Sequence, residues 1–478
     1  MTKKVYAPDL IILLSAVCLT SIASAQTSWW RTYGGAGTDY GNSVQQTSDG
    51  GYMIAGATWS FGADSGAFYL IKTNAHGNML WSRMYVGPGY CAGLSGQQTS
   101  DGGYVITGYV EYSKSEFKDV YLVKTSASGD TLWTRTYGGY VDDWGNSVQQ
   151  TVDGGYVIAG YTCSYDAGGG DFYVIRTNSQ GDTLWTRSYG GTDYDEASSI
   201  RQTTDGGYVI TGTTNSFGAG YSDIYVVKTN VSGETLWTRT YGGTSNDCGC
   251  SVQQTTDGGY IIVGFTASFG SGVYDHVFLI KTDAQGDTLW TRTYGGPLYD
   301  AGNSVQQTTD GGYIVAGYAY SSLGQGHDVY LIKTNSQGDT LWTRTYGGTG
   351  YDEARSVQQT LDGGYIVSGT YEDSAPDGDD VYLIKTDSLG NVGVAEPLTG
   401  HALRPTHFLV RPNPFTSFAR VPGHETELFT LSDVTGRQVA VCNGDRIGAG
   451  LRPGVYFLSP AGPRAGTSAT ATIVKTAF

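Results

Sequence analysis

Between residues 29 and 391 apolar and polar side chains alternate in short runs, and no stretch carries the 3.6-residue spacing of a helix. Four kinds of run recur in fixed order: Ser-Val-Gln-Gln-Thr, an apolar run opened by Tyr, Val-Tyr-Leu-Ile-Lys-Thr, and Leu-Trp-Thr-Arg-Thr-Tyr. Each is rich in β-branched and aromatic residues and bounded by Gly, Asn or Asp, which predicts four short antiparallel strands per unit. The turn Asp-Gly-Gly-Tyr opens at Asp49, Asp101, Asp153, Asp205, Asp257, Asp310 and Asp362, a period of 52 residues with one step of 53. A period of that length marks stacked copies of one unit, none able to bury its apolar face alone.

The ends of the repeat region decide between a closed ring, an open array and a chain of sandwiches. An open array exposes sheet edges that need caps. Here the last unit runs through Val381–Thr386 and then has Val392-Gly393-Val394 where the Trp-bearing strand belongs, while a lone copy of that strand, Trp29 to Tyr33, opens the region. The Trp strand is read around Trp133, Trp237, Trp290 and Trp342, and in altered form around Trp30, Trp81 and Trp185. The pattern therefore predicts an all-β fold: a seven-bladed β-propeller of 52-residue four-stranded repeats over 26–391, with blade seven shared between the two ends.

On these residues the region resembles the secreted bacterial and archaeal families of seven-bladed β-propeller repeats, a likeness that implies a fold and leaves function open. Thr47-Ser48-Asp49-Gly50-Gly51 is similar to the Asp-box turn of sialidase-type propellers but lacks the Trp that follows it there, so only the turn geometry is implied. After a linker at 392–407, residues 408–478 carry Pro412-Asn413-Pro414-Phe415, Asp433-Val434-Thr435-Gly436-Arg437 and Gly454-Val455-Tyr456-Phe457. This tail resembles the C-terminal sorting domain of type IX secretion cargo, an immunoglobulin-like β-sandwich. The resemblance implies the secretion machinery as a partner. The flagellar hook-capping module shares these features.

Residues 1–25 read as a secretory signal: Lys3 and Lys4, an apolar run from Leu10, and Ala23-Ser24-Ala25 before Gln26. The expected location is secreted or on the outer cell surface. No segment beyond the leader approaches the roughly 18 apolar residues of a spanning helix. The cysteines that remain, Cys91, Cys163, Cys248, Cys250 and Cys442, are odd in number and out of phase, which argues against a disulfide framework. Cys248-Gly249-Cys250 reads as two loop thiols. Net charge is −16 and pI about 4.7, against the basic stripe that nucleic acid needs.

Recurring residues read as scaffold: the Trp133, Arg135, Tyr137 face, the basic position of Lys333, and the Gln pairs near the ring axis. One copy has Arg201 in place of the first Gln. Functional residues are expected where copies differ, on the disc face that bears the longer connections. There Asp142 and Asp143, Asp193 with Tyr194, Asp195 and Glu196, Asp300, and Tyr351 with Asp352 and Glu353 are predicted to converge on an acidic, tyrosine-lined rim. Such a rim would suit a sugar, a surface-protein segment or a cation. No cofactor is expected, calcium being the one ion these carboxylates would take. The histidines stand apart from any nucleophile, and no arginine cluster is expected at the centre. The expectation is a monomeric, non-catalytic binding or structural propeller, with a multivalent lectin and a polysaccharide hydrolase or lyase as the alternatives.

Overall fold

The computed structural model describes residues 28–393 apart from 64, 113–116, 166–167, 271–273, 321–325 and 373–377. Beyond residue 393 it describes 428–433, 437–443, 445–447, 451–460 and 471–475. The leader at 1–25, the linker beyond residue 393 and Pro412-Asn413-Pro414-Phe415 lie outside these residues. The chain divides between Glu396 and Pro397.

The first unit is a closed seven-bladed propeller. Blade 1 sets the plan: an inner strand Asp39–Gln46, then Tyr52–Thr58, then Ala67–Thr73, then an outer strand Met79–Tyr85, all antiparallel neighbours. The two middle strands are buried along their whole length because adjacent blades cover both faces, and this is why they read as near-continuous apolar runs. The turn between the first two strands needs both of its glycines. Gly50 sits at φ 82°, and a Cβ on Gly51 would fall 2.1 Å from the Thr73 carbonyl oxygen.

Blade 7 is completed from the other end of the chain. Trp29–Tyr33 pairs with Asp379–Thr386 in the register Trp29 to Lys385, Arg31 to Leu383 and Tyr33 to Val381. Blade 2 shows the same register within one continuous segment, with Lys124 opposite Trp133 and Leu122 opposite Arg135. The first copy of the repeated tryptophan is therefore Trp29, and the assignment to Trp30 is corrected. Trp30 occupies the place of Thr134 and packs on Tyr371 and Tyr382.

Every seam between blades is fastened at the rim and at the hub. At the rim, the outer-strand Trp meets the next blade's Tyr edge-on, Arg lies over that Trp, and the outer-strand Tyr donates to a glycine carbonyl of the next blade. Trp185 lies 5.9 Å from Tyr208, Arg187 5.6 Å from Trp185, and the Tyr189 hydroxyl 2.6 Å from the Gly233 oxygen. The closing seam repeats this with Trp29 on Tyr52 at 5.8 Å and Tyr33 on Gly77 at 2.6 Å. At the hub, side-chain amides bond the neighbour's backbone. Oε1 of Gln45 accepts the Gln98 N–H at 2.7 Å, and Oε1 of Gln98 accepts the Ser48 N–H at 2.9 Å. Blade 7 joins blade 1 in the same way, Gln358 accepting from Gln46 and Gln46 from Leu361.

Within each blade the aspartate of the turn takes an ammonium or guanidinium from the third strand: Asp205 and Lys228 are 2.9 Å apart, and all seven blades carry the pair. Burial opposes ionisation of Asp205, but the bonds from Lys228, Thr203 and the Gly207 N–H outweigh it and hold the carboxyl at about 2.

In the C-terminal unit, Leu428–Asp433, Gln438–Asn443, Gly454–Pro460 and Ala471–Lys475 form one antiparallel sheet in the order second, first, third, fourth. Phe429, Leu431 and Ile447 make its small core. The expectation was a sandwich; the second sheet that a sandwich requires is not among the described residues.

Candidate ligand-binding face

Short turns fill one face of the disc, and the connections between blades and between the second and third strands fill the other. The predicted acidic rim on this second face divides into two sets. Asp143, Asp195, Asp300 and Asp352 are buried. Each opens its inner strand, or directly precedes it in the case of Asp352, and folds the preceding loop back onto itself: Asp195 accepts from the Gly191 N–H at 2.8 Å and from the Ser216 hydroxyl at 2.7 Å. Asp143 does the same with Gly139 and Ser164, Asp300 with Gly296, and Asp352 with Gly348. In blade 2 the Cys91 thiol takes this role, 3.4 Å from the Gly87 nitrogen. These four carboxylates are buried and each accepts a hydrogen bond from the loop that precedes it.

Burial also sets their acidity. It raises Asp143 and Asp300, and pushes Asp352 up to about 6, with Asp328 and Glu372 adding to the effect against two backbone N–H bonds. Asp352 binds its proton more readily folded than unfolded, so it costs stability at neutral pH and stops doing so as pH falls from about 6 towards about 4. Asp205, held at about 2, contributes stability above about 4 that is lost only as pH falls through its folded value. Thermal melting at a series of pH values is expected to show Asp352→Asn more stable than wild type at pH 7, with the gain disappearing as pH falls from about 6 towards about 4, and a collapse of both below about pH 3. An Asp352→Asn gain that is the same at pH 7 and pH 4 would contradict the raised pKa of the buried carboxyl.

The remaining predicted residues stay near the surface. Asp193 is exposed, and Asp142 accepts the Lys118 backbone N–H at 2.9 Å. Glu196 accepts from Trp144 Nε1 at 2.9 Å, from Asn146 at 2.8 Å and from the Tyr194 hydroxyl. Glu353 holds Arg355, whose guanidinium lies 4.9 Å over Tyr40 and bonds Asn42 across the closing seam. Tyr351 sits 5.1 Å from His327.

Residues that sequence reasoning missed join these into an aromatic arc. Tyr40 meets Trp59, Trp59 meets Tyr90, and Tyr90 stacks on Tyr109. Lys118 lies over both Tyr109 and Trp144, and Trp144 stacks at 4.2 Å on Tyr161, which meets Tyr194. A second group, Tyr274, Tyr299, Tyr320, Tyr351 and His327, belongs to blades 5 to 7. The available signal was one position on the inner strand, just after the buried acid, where the copies read Tyr40, Ala92, Trp144, Glu196, Cys248, Ala301 and Glu353. Cys248 and Cys250 lie on such a strand, Asp247–Gln254, and not in a loop as read from sequence. Burial raises both thiols, Cys250 to about 12, so neither is a ready thiolate. Among the described residues no group of three or more His, Cys, Asp or Glu side chains is disposed to hold a metal ion.

No protein-family model matches the chain. A curated relative, the regulatory protein FlaEY of Caulobacter vibrioides, is 24% identical over 258 residues, which cover 49% of this chain and 25% of the relative. The chain thus spans about a quarter of that relative's length. Solved structures similar to it include the Neurospora crassa Pan2 WD40 domain (10% identity, TM-score 0.46, 78% of this chain and 98% of that one). They also include a puromycin hydrolase (12%, 0.47, 91% and 61%) and an α-L-arabinofuranosidase from Fusarium graminearum (11%, 0.40, 61% and 92%).

Proposed function

We propose that this chain is an exported, non-catalytic binding propeller that takes its ligand on the loop-bearing face, and that its C-terminal unit serves export or surface attachment. The observation that carries this reading is the arc from Tyr40 to Tyr194, in which Tyr40, Trp59, Tyr90, Tyr109, Trp144 and Tyr194 are partly exposed and the buried Tyr161 backs Trp144, flanked by Lys118, Glu196 and Arg355. Aromatic faces set among a few fixed polar groups give a ligand area and orientation at low entropic cost. The carboxylates of Asp142, Asp143, Asp195, Glu196, Asp300, Asp352 and Glu353 are engaged by their own neighbours, which favours binding over acid–base chemistry.

Within that reading a saccharide is the favoured ligand, because stacked rings beside hydrogen-bonding acids match the alternating apolar faces and hydroxyls of sugars. The mature chain on a glycan array is expected to retain specific oligosaccharides, and Trp144→Ala to weaken retention about thirtyfold, since burial of a large ring at a binding hot spot contributes about 2 kcal/mol. An array that retains nothing would remove the lectin reading and leave a protein ligand. Release of reducing sugar from a retained glycan would replace the binding reading with a hydrolase. Export is tested separately, by locating a form that ends at residue 393: retention inside the cell is expected.

A further inference from the structure

The hub contains one charge where the repeat calls for none. Six of seven equivalent inner-strand positions hold glutamine, and blade 4 holds Arg201. The chemistry of the seam fixes how each glutamine points. Its Oε1 must accept a backbone N–H of the next blade, as Gln149 does from Gln202 at 2.7 Å and Gln253 from Gln307 at 2.6 Å. Each Nε2, with two N–H donors, is left without a protein acceptor among the described residues. These amides and a ring of serines line an axial cavity of about 220 Å³ that also contains the Arg201 side chain.

Arg201 breaks the ring twice over. A guanidinium accepts nothing, so the Gln254 N–H cannot donate to it the bond that the other six seams have. It also brings a positive charge into a confined site without a counterion. Its bond is to the Ile200 carbonyl at 2.8 Å, and no carboxylate lies within 4 Å among the described residues. The buried basic side chains of the third strands, by contrast, each have an aspartate. Burial works against the Arg201 charge, and glutamine would both restore the bond and remove the charge.

We infer that the axial cavity is an anion site, in which a small free oxyanion is held by the Arg201 guanidinium and by the amide N–H groups of Gln149 and Gln253 on either side of it. Oxyanions suit a wall made of donors, and a guanidinium grips two of their oxygens at once. At roughly 30 Å³ per water, the cavity has room for a tetrahedral anion with several waters. The site is independent of the loop-bearing face and does not rest on the ligand proposed there.

The test is melting and titration calorimetry of the full mature chain with sodium phosphate, sulfate or acetate, against sodium chloride at matched ionic strength. Wild type is expected to show saturable binding and a rise in Tm of about 2 °C at twenty times Kd. Arg201→Gln, which restores the repeat, is expected to melt at or above wild type without added anion and to lose the response; Arg201→Lys is expected to keep part of it. A stronger response to phosphate and sulfate would assign a tetrahedral anion, and a stronger response to acetate a carboxylate. An equal rise in Arg201→Gln would show general salt stabilisation and overturn the site. So would calorimetry that detects no binding to wild type at millimolar anion.

Discussion

Replacing Trp29 by alanine is expected to lower the unfolding free energy by about 3–5 kcal/mol, the range for removing a large buried aromatic. Trp29 is 4% exposed, lies against Tyr52 and Gly77 of blade 1, and carries Arg31 over its face. The same substitution at Trp185 removes an equivalent rim contact, but blade 4 and blade 3 remain covalently continuous. At Trp29 the strand is joined to its blade only by hydrogen bonds and packing. Loss of its anchor is therefore expected to open blade 7 locally before the ring unfolds. Hydrogen exchange should show protection falling first in Tyr365–Glu372 and Asp379–Thr386 in the Trp29 variant, and no such localisation in Trp185→Ala. Uniform loss of protection in both would mean that closure adds nothing to the stability of blade 7.

The second large effect is expected at the turn aspartate. Asp205→Ala leaves the Lys228 ammonium, 4% exposed, with the Thr229 carbonyl 2.8 Å away as its remaining partner. Breaking a fully buried pair typically costs 3–5 kcal/mol, but Asp205 is 56% exposed and solvent screens part of the interaction, so about 2 kcal/mol is expected. Lys228→Met should cost less, because it removes the buried charge and leaves Asp205 with its bonds from Thr203 and Gly207. The double variant is then expected to be more stable than Asp205→Ala alone. Denaturant unfolding of the three variants checks this; equal stability of Asp205→Ala and wild type would show that Lys228 reaches water when its partner is gone.

The period, the strand order, the tight turns and the ring closure were legible in the sequence because each depends on local pattern: alternation, glycine at positive φ, and one strand missing at one end and present at the other. The Gln strand was also legible as the axial one. The acidic rim was not. An Asp at a loop boundary reads as solvated, yet the loop before Asp195 turns back four residues and spends that carboxylate on Gly191. The aromatic arc escaped for the opposite reason. Trp144 and Tyr40 lie inside a strand that ends in the recurring Ser-Val-Gln-Gln block, so the variation in its first half was hidden in an element read as scaffold. The offset between Trp29 and Trp30 shows how two adjacent tryptophans defeat alignment by residue type; only the pairing with Lys385 resolves it.

The strand Trp29–Tyr33 completes a blade to which the adjacent chain does not bind it, and the edge it occupies is offered identically by every copy of the molecule. Refolding at high concentration therefore sets capture of a molecule's own strand against capture of a neighbour's, and the second outcome links molecules head to tail by exchanged strands. Slow dilution from denaturant should give single rings, and rapid concentration a ladder of swapped multimers.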